Sequence, residues 1–488
     1  PGFGLSDPLG DARWSMHQLA DVMVRFLDEL RLEQVALCGQ HTGAAIAAEM
    51  ARRYPERITS LALDGLPVFS PEEQRTILPH QLYRFQPQVD GTHLMWAWSR
   101  FRDGWLFFPW SQRERARRRD LDFPDAEIIH RLQVMELLRS RERHLNIYPA
   151  VFEWPGAEVV SALGQPVWVG TTADDQLFPH LDRLGNPPAN VCVERLPRGD
   201  RAAVWHAQTR WVLARLPPRS APSDSGALPP DGNSARWRAV VGGLTVEGRH
   251  LDLPGPGHLL VHGAGSSGRC EWQRWRAGHV GASSLGPVWT IDLPGHGDSD
   301  GDVLNPADAA QHMGDAINQL GIAPGDVHAR GYGAAVAMSW VLGTSRSSGA
   351  SAWVRQASFH LHEVILRNDA ERSRWRSQYA LPILPQWDGS HLIRLWHEIR
   401  DRELFHPWFE RGRANIRPVE PQLDAESLTE SVFAALCCRD WVGAHRYWLD
   451  WDPLGASGIR AARATGAAVH LLAEPGDGWA HRLAELAP

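Results

Sequence analysis

An internal repeat constrains this chain more than any other feature. Asp90-Gly91-Thr92-His93-Leu94 matches Asp388-Gly389-Ser390-His391-Leu392 at an offset of 298 residues. The match continues without a gap. Trp98, Arg102, Asp103, Leu106, Phe107, Pro109, Trp110, Arg113, Arg115, Ala116 and Arg119 recur as Trp396, Arg400, Asp401, Leu404, Phe405, Pro407, Trp408, Arg411, Arg413, Ala414 and Arg417. Identity holds at 15 of 30 consecutive positions, too many for coincidence. Pro1-Gly2-Phe3-Gly4-Leu5-Ser6-Asp7 also matches Pro294-Gly295-His296-Gly297-Asp298-Ser299-Asp300. A period this long means two whole domains rather than a solenoid.

The stretch 217–236 is rich in Pro, Ser and Gly and has no apolar periodicity, so it reads as an extended linker. It separates a first domain, 1–216, from a second, 237–488, each of ordinary domain size. The second copy has residues 237–293 ahead of its Pro-Gly-x-Gly motif, and the first has nothing there. The first copy continues about 40 residues beyond Asp175, whereas the second stops soon after Asp477. Both copies are therefore expected to be truncated, the first at its N-terminal strands and the second at its C-terminal end.

Within each copy, short apolar runs alternate with helical periodicity. The pattern predicts a helix over 15–30, a strand over 34–38, a helix over 42–53 and a strand over 58–63. The second copy gives strands at 258–262, 287–292 and 326–330, a helix at 307–320 and an Ala-rich helix at 334–342. Such alternation predicts an α/β fold, a mostly parallel sheet covered by helices on both faces. The Trp- and Arg-rich stretches at about 85–150 and 385–450 break the alternation and read as helical caps.

The order of motifs resembles the α/β-hydrolase superfamily, in its capped branch with epoxide hydrolases, haloalkane dehalogenases and C–C hydrolases. It runs strand, His262-Gly263, strand, Asp292-Leu293-Pro294-Gly295-His296-Gly297, helix, strand, Gly-rich turn, helix, cap, and strand with acid. The resemblance covers both copies. It implies a nucleophile on a tight strand-to-helix turn of pattern Gly-x-Ser-x-Gly. The first copy keeps that spacing in Gly39-Gln40-His41-Thr42-Gly43, with His41 at the nucleophile position. In the second copy, Arg330-Gly331-Tyr332-Gly333 places Gly333 there. Neither copy has the expected Ser, Asp or Cys.

By the same resemblance Asp175 and Asp477 stand at the triad acid, and Asp200 where the family's histidine is expected. A histidine opening a helix faces the positive end of the macrodipole, which favours the neutral ring. Oriented by Asp175 or Asp200, His41 would be a general base for a lyase, isomerase or activated-water hydrolase. Gln40, Thr42, His93 and Trp98 are the expected substrate contacts, and His262-Gly263 the expected oxyanion-type loop of the second domain. Alternatively Asp90 or Thr92 caps a helix, with His93 packed on Trp96. Arg102 and Asp103 read as an ion pair within the cap, and the run from Arg113 to Arg119 as a solvated helix face.

Composition narrows the rest. All 50 basic side chains are arginine, which excludes a lysine Schiff base or P-loop lysine. A net charge of -7 favours neither nucleic acid nor an anionic membrane. Five scattered cysteines without metal spacing suggest free thiols in a cytoplasmic protein. The expected function is a hydrolase-like enzyme on a small organic molecule, with chemistry confined to the first domain, no cofactor or metal, and the two domains paired within the chain. The rival is a pseudo-hydrolase pair that binds a small molecule or a protein without turnover.

Overall fold

The computed structural model describes residues 2–4, 6, 13–216, 236–249, 255–279, 286–346, 354 and 356–472. Pro1, Leu5, Asp7, all of the expected linker except residue 236, and Asp477 lie outside the described residues. The chain forms two compact units, one of 1–86 with 96–228, the other of 87–95 with 229–488.

The first unit is built on β1 (Val35–Gln40), β2 (Ile58–Asp64), β3 (Val167–Thr172) and β4 (Val191–Leu196), side by side in chain order and all parallel. β2 and β3 are almost wholly buried, as expected of strands covered on both faces. On one face Leu61, Leu63, Val167 and Val169 pack with helices Met16–Glu29 and Thr42–Arg53. On the other, Ala62 and Trp168 pack with Val204 and Ala207 of helix Arg201–Leu213. Helix Met16–Glu29 starts at a capping box between Ser15 and Gln18. Its apolar positions, Met16, Leu19, Ala20, Val24 and Leu27, recur at helical spacing and are its buried residues. Removing the fully buried Leu19 side chain would cost about 2–5 kcal/mol. Between β2 and β3 the described residues form helices, chiefly Thr92–Leu106 and His144–Phe152, and an isolated bridge, Phe107 to Arg118.

The second unit has β5 (Arg236–Val241), β6 (Leu244–Arg249), β7 (His258–Val261), β8 (Val288–Ile291), β9 (Asp326–Arg330), β10 (Ser358–His362) and β11 (Ala468–Leu471). Their order is β11-β10-β9-β7-β8-β6-β5, parallel except where β6 meets β5 and β8. The strands expected of this unit begin at 258, and the β5–β6 hairpin precedes them. Its signal was Gly242-Gly243, both with positive φ (56° and 79°), a two-residue turn that suits a hairpin.

The succession β1, helix, β2, helices, β3 recurs as β9, helix Tyr332–Arg346, β10, helices, β11. Gly2 and Gly4 (φ 75° and 56°) behave as Gly295 and Gly297 do (71° and 53°). Two expectations fail. Asp103 pairs with Arg113 at 2.7 Å rather than with Arg102, whose guanidinium lies over Phe123. The run from Arg113 to Arg119 is not a helix face but a single 3₁₀ turn, Arg115–Arg117, after which the chain bridges back to Phe107. No helix among the described residues is long and apolar enough to cross a membrane.

Candidate active site

β1 passes into helix Thr42–Arg53 through His41, whose φ of 48° and ψ of -114° are unusual for any side-chain-bearing residue. Its N–H donates to the Asp64 carbonyl at 2.9 Å, and its carbonyl accepts from the Ala44 and Ala45 amides at 3.0 and 3.2 Å. The turn is tight because Gly39 lets the helix start close over the strand; a Cβ there would lie 2.5 Å from the Gly43 carbonyl oxygen. Only four non-glycine residues among those described have positive φ, and His41 and Glu363 are two of them. Both line cavities, which is where stored backbone strain tends to collect.

The His41 ring turns toward Asp175, with Nε2 at 3.0 Å from Oδ2 and 3.2 Å from Oδ1. Asp175 follows β3 and also accepts the Leu177 amide at 2.8 Å. Burial works against its charge, but the His41 contact, the Leu177 amide and the Arg201 guanidinium outweigh it and hold the carboxyl below its ordinary pKa. An ionised carboxylate can only accept, so Nε2–H is the donor in this contact. The ring lies over Gly65, where a Cβ would come within 2.5 Å of Cδ2.

These groups lie at a cavity of about 350 Å³. Its lining includes His41 and Thr42 below and Phe101, Phe107, Phe108 and Trp110 from the helical insertion, with Phe69 and Phe152 beside them. Its polar lining includes Gln81, Gln133, Tyr148, Arg100 and Arg119. Burial depresses the pKa of both guanidinium groups and raises that of Tyr148.

The structure therefore brings His41, Thr42 and Asp175 together, but not the other expected site residues. Asp200 is exposed and caps helix Arg201–Leu213, accepting the Ala203 amide at 2.8 Å, so that carboxylate is spent on a helix end. Gln40 is exposed at the end of β1 and does not line the cavity. Trp98 is 1% exposed and likewise does not line it. His93 belongs to the second compact unit. There its Nδ1 accepts the Gln88 amide at 3.1 Å, its Nε2 meets the Thr429 hydroxyl at 2.9 Å, and its ring packs on Trp396 rather than Trp96. Asp90 does cap the helix start, through the Thr92 amide at 3.0 Å.

In the second unit the equivalent of His41 is Gly331, not Gly333. Gly331 has φ of 51°, its N–H donates to the His362 carbonyl, and its own carbonyl accepts from Ala334 and Ala335. Glu363 stands where the first unit has Gly65, with φ of 54° against 59°. Its carboxylate fills the space above the turn, 3.5 Å from where a Gly331 Cβ would be. Arg330 pairs with it at 3.0 Å. Burial opposes the Glu363 charge, but Arg330, Arg274 and Arg417 push its pKa down to about 2. The cavity here is about 130 Å³. His262 is buried and neutral, its pKa lowered to about 4 by burial. Its Nδ1–H donates to the Gly263 carbonyl and its Nε2 accepts the Leu293 amide. His262 therefore stitches the loop, and Gly263 lines the cavity. No group of His, Cys, Asp and Glu among the described residues could hold a metal.

The sequence reading missed Arg100, Arg119, Gly65 and Glu363. Recurrence of Arg119 as Arg417 was a usable signal, since both line cavities. Nothing in the sequence pattern pointed to Gly65 or Glu363.

The pattern of the alpha/beta hydrolase fold family matches residues 1–141. A 2-hydroxymuconate semialdehyde hydrolase from Pseudomonas sp. (strain CF600) is 41% identical over 64 residues, 13% of this chain and 23% of its own length. The chain thus spans about a quarter of that curated relative. Among solved structures, a meta-cleavage product hydrolase from Pseudomonas fluorescens is 16% identical, with 43% of this chain and 75% of that one covered and a TM-score of 0.32. An esterase from Thermogutta terrifontis is 17% identical, with 44% and 77% covered and a TM-score of 0.32. The family match covers the first 141 of 488 residues, and what these comparisons show is similarity to the α/β-hydrolase fold.

Proposed function

We propose that the first unit is a hydrolase-like enzyme in which His41 acts as a general base on a small, largely apolar organic molecule, and that the second unit does not turn over. The observation that carries this is the 3.0 Å contact of His41 Nε2 with Asp175 at the floor of an aromatic-walled cavity. Asp175 fixes the ring and stabilises the cation that forms when Nδ1 takes a proton. The proton comes from a water or from an activated carbon acid, and no acyl-enzyme forms on a side chain of the turn. The Tyr148 hydroxyl, kept neutral by burial, is available as a donor to developing negative charge.

We read the two units as copies of one capped α/β-hydrolase domain. The shared strand order, the matching glycine conformations and the 15 identities support this. Gly331 removes the reacting side chain from the second copy, and Glu363 with its arginines fills the space. That copy is better suited to a scaffold or binding role, which keeps a wholly non-catalytic binding pair as the rival reading. Free cysteines throughout fit a cytoplasmic protein acting on a small molecule, with no nucleic-acid or membrane partner and no cofactor.

The test is a screen of short-chain esters, β-diketones and epoxides with the full chain, alongside a serine-reactive fluorophosphonate. Turnover without labelling is expected. Labelling would show that a serine nucleophile is present after all, and ligand-induced stabilisation without turnover would favour the binding pair.

A further inference from the structure

Two guanidinium groups enter the first cavity, and no acidic residue is among its lining residues. The Asp175 carboxylate below is occupied by His41. Arg119 is tethered by Nη1 to the Gly104 carbonyl at 2.9 Å, and no carboxylate lies within ion-pair distance of it among the described residues. Arg100 is held differently. Its guanidinium lies over the Trp110 and Tyr83 rings at 4.6 and 5.0 Å and donates to the Gln81 amide oxygen at 3.1 Å. Arg100 keeps a buried Nε without a hydrogen-bond partner among the described residues, but only Arg119 recurs in the second unit, as Arg417, the Arg100 position there being Glu398.

The second unit places both an equivalent arginine and a carboxylate of its own among the lining of its cavity. Arg417 recurs at the Arg119 position and is tethered in the same way, by Nη1 to the Arg402 carbonyl at 2.7 Å. Its cavity contains the Glu363 carboxylate, projected from the position where the first unit has Gly65. The second unit thus fills its floor with its own carboxylate, whereas in the first the His41 ring lies over Gly65 at that place.

We propose that the first cavity takes a small, flat, apolar acid and that Arg119 binds its carboxylate, with the rings of Phe107, Phe108 and Trp110 taking the hydrocarbon. A half-buried, incompletely paired guanidinium such as that of Arg119 gains more from an anion than a solvated one does. This inference rests on reading that cavity as the active site, but it concerns binding rather than turnover.

The test uses the full chain and calorimetric titration with benzoate and its neutral isostere benzamide. Benzoate is expected to bind about tenfold tighter or more. R119Q should bind both equally, and R119K should keep part of the preference. Retained benzamide binding shows that the R119Q cavity is folded; if that variant does not fold, the R119K loss decides. Equal binding of acid and amide by the unaltered protein, no benzoate binding, a preference surviving R119Q, or one lost only in R100Q would overturn the assignment. A missing turnover with the benzoate preference intact would count against His41 chemistry alone.

Discussion

Gly65 offers the sharpest single perturbation of the site. Its φ of 59° is left-handed, and a Cβ there would lie 2.5 Å from His41 Cδ2, 2.8 Å from Nε2 and 3.5 Å from Asp175 Oδ1. The His41 backbone cannot yield, because its N–H and C=O are held by Asp64, Ala44 and Ala45. The ring must rotate instead, which breaks its contact with Asp175. Gly65→Ala should therefore cost about 1–2 kcal/mol for the left-handed backbone. A further ~1.5–3 kcal/mol should follow from the lost charge-assisted hydrogen bond. Turnover should fall about 100-fold as the base loses its orientation. Gly185 is the control. It has φ of 60° but nothing within 4 Å of an added Cβ. Gly185→Ala should carry the backbone cost alone and leave turnover unchanged. Urea unfolding followed by tryptophan fluorescence, with steady-state rates on the same samples, measures both. If the two alanine variants match in stability and in turnover, the ring does not occupy the space above Gly65 as described.

Other expectations follow from the same geometry. Asp175→Asn should lower the rate about 100- to 1,000-fold with little change in KM, because an amide can donate to His41 and favour the wrong tautomer; steady-state kinetics check this. His180 is buried, accepts the Val68 amide at 2.9 Å, and has its pKa lowered to about 4 by burial and by Arg183. A histidine whose folded pKa lies below the ordinary 6.5 gives its full stability above 6.5 and loses it as pH falls toward 4. The first unit should lose about 3 kcal/mol over that window through His180 alone, and His180→Gln should flatten the slope in urea titrations at pH 7.5 and 4.5. His130, lowered to about 4 likewise, should leave a residual slope. Glu363→Gln should remove one of the two ion pairs of Arg330, the other being with Glu271, and, because the Glu363 side chain is 39% exposed, destabilise the second unit by only about 1 kcal/mol, seen as an earlier unfolding transition, without altering first-unit turnover.

The sequence was most informative where a backbone rule left a mark. Alternating apolar runs located β1, β2 and β9 to within about two residues, because parallel strands covered on both faces must be apolar throughout. The Gly39 and Gly43 spacing located the turn and hence His41. Register was legible only in part. Two glycines, at 331 and 333, each fitted the turn of the second unit, and only positive φ with the His362 carbonyl contact distinguishes them. The side-chain assignments that failed are those decided by direction. Asp200 carries the right chemistry but sits at a helix start, where a capping bond claims it. Arg119 stands in a basic run that looks solvated, and one 3₁₀ turn points it into the cavity. Gly65 and Glu363 fill or vacate the same place above the turn, a reciprocal exchange that only the fold makes visible.

The central claim is that the ring of His41, not a hydroxyl or thiol, does the chemistry. The direct measurement is kcat of His41→Ala on the best substrate of the screen, with the folded state checked by its unfolding midpoint. Loss of 100-fold or more in a folded variant is the predicted result. Turnover within a few-fold of the unaltered protein would contradict it and move the chemistry elsewhere in the chain.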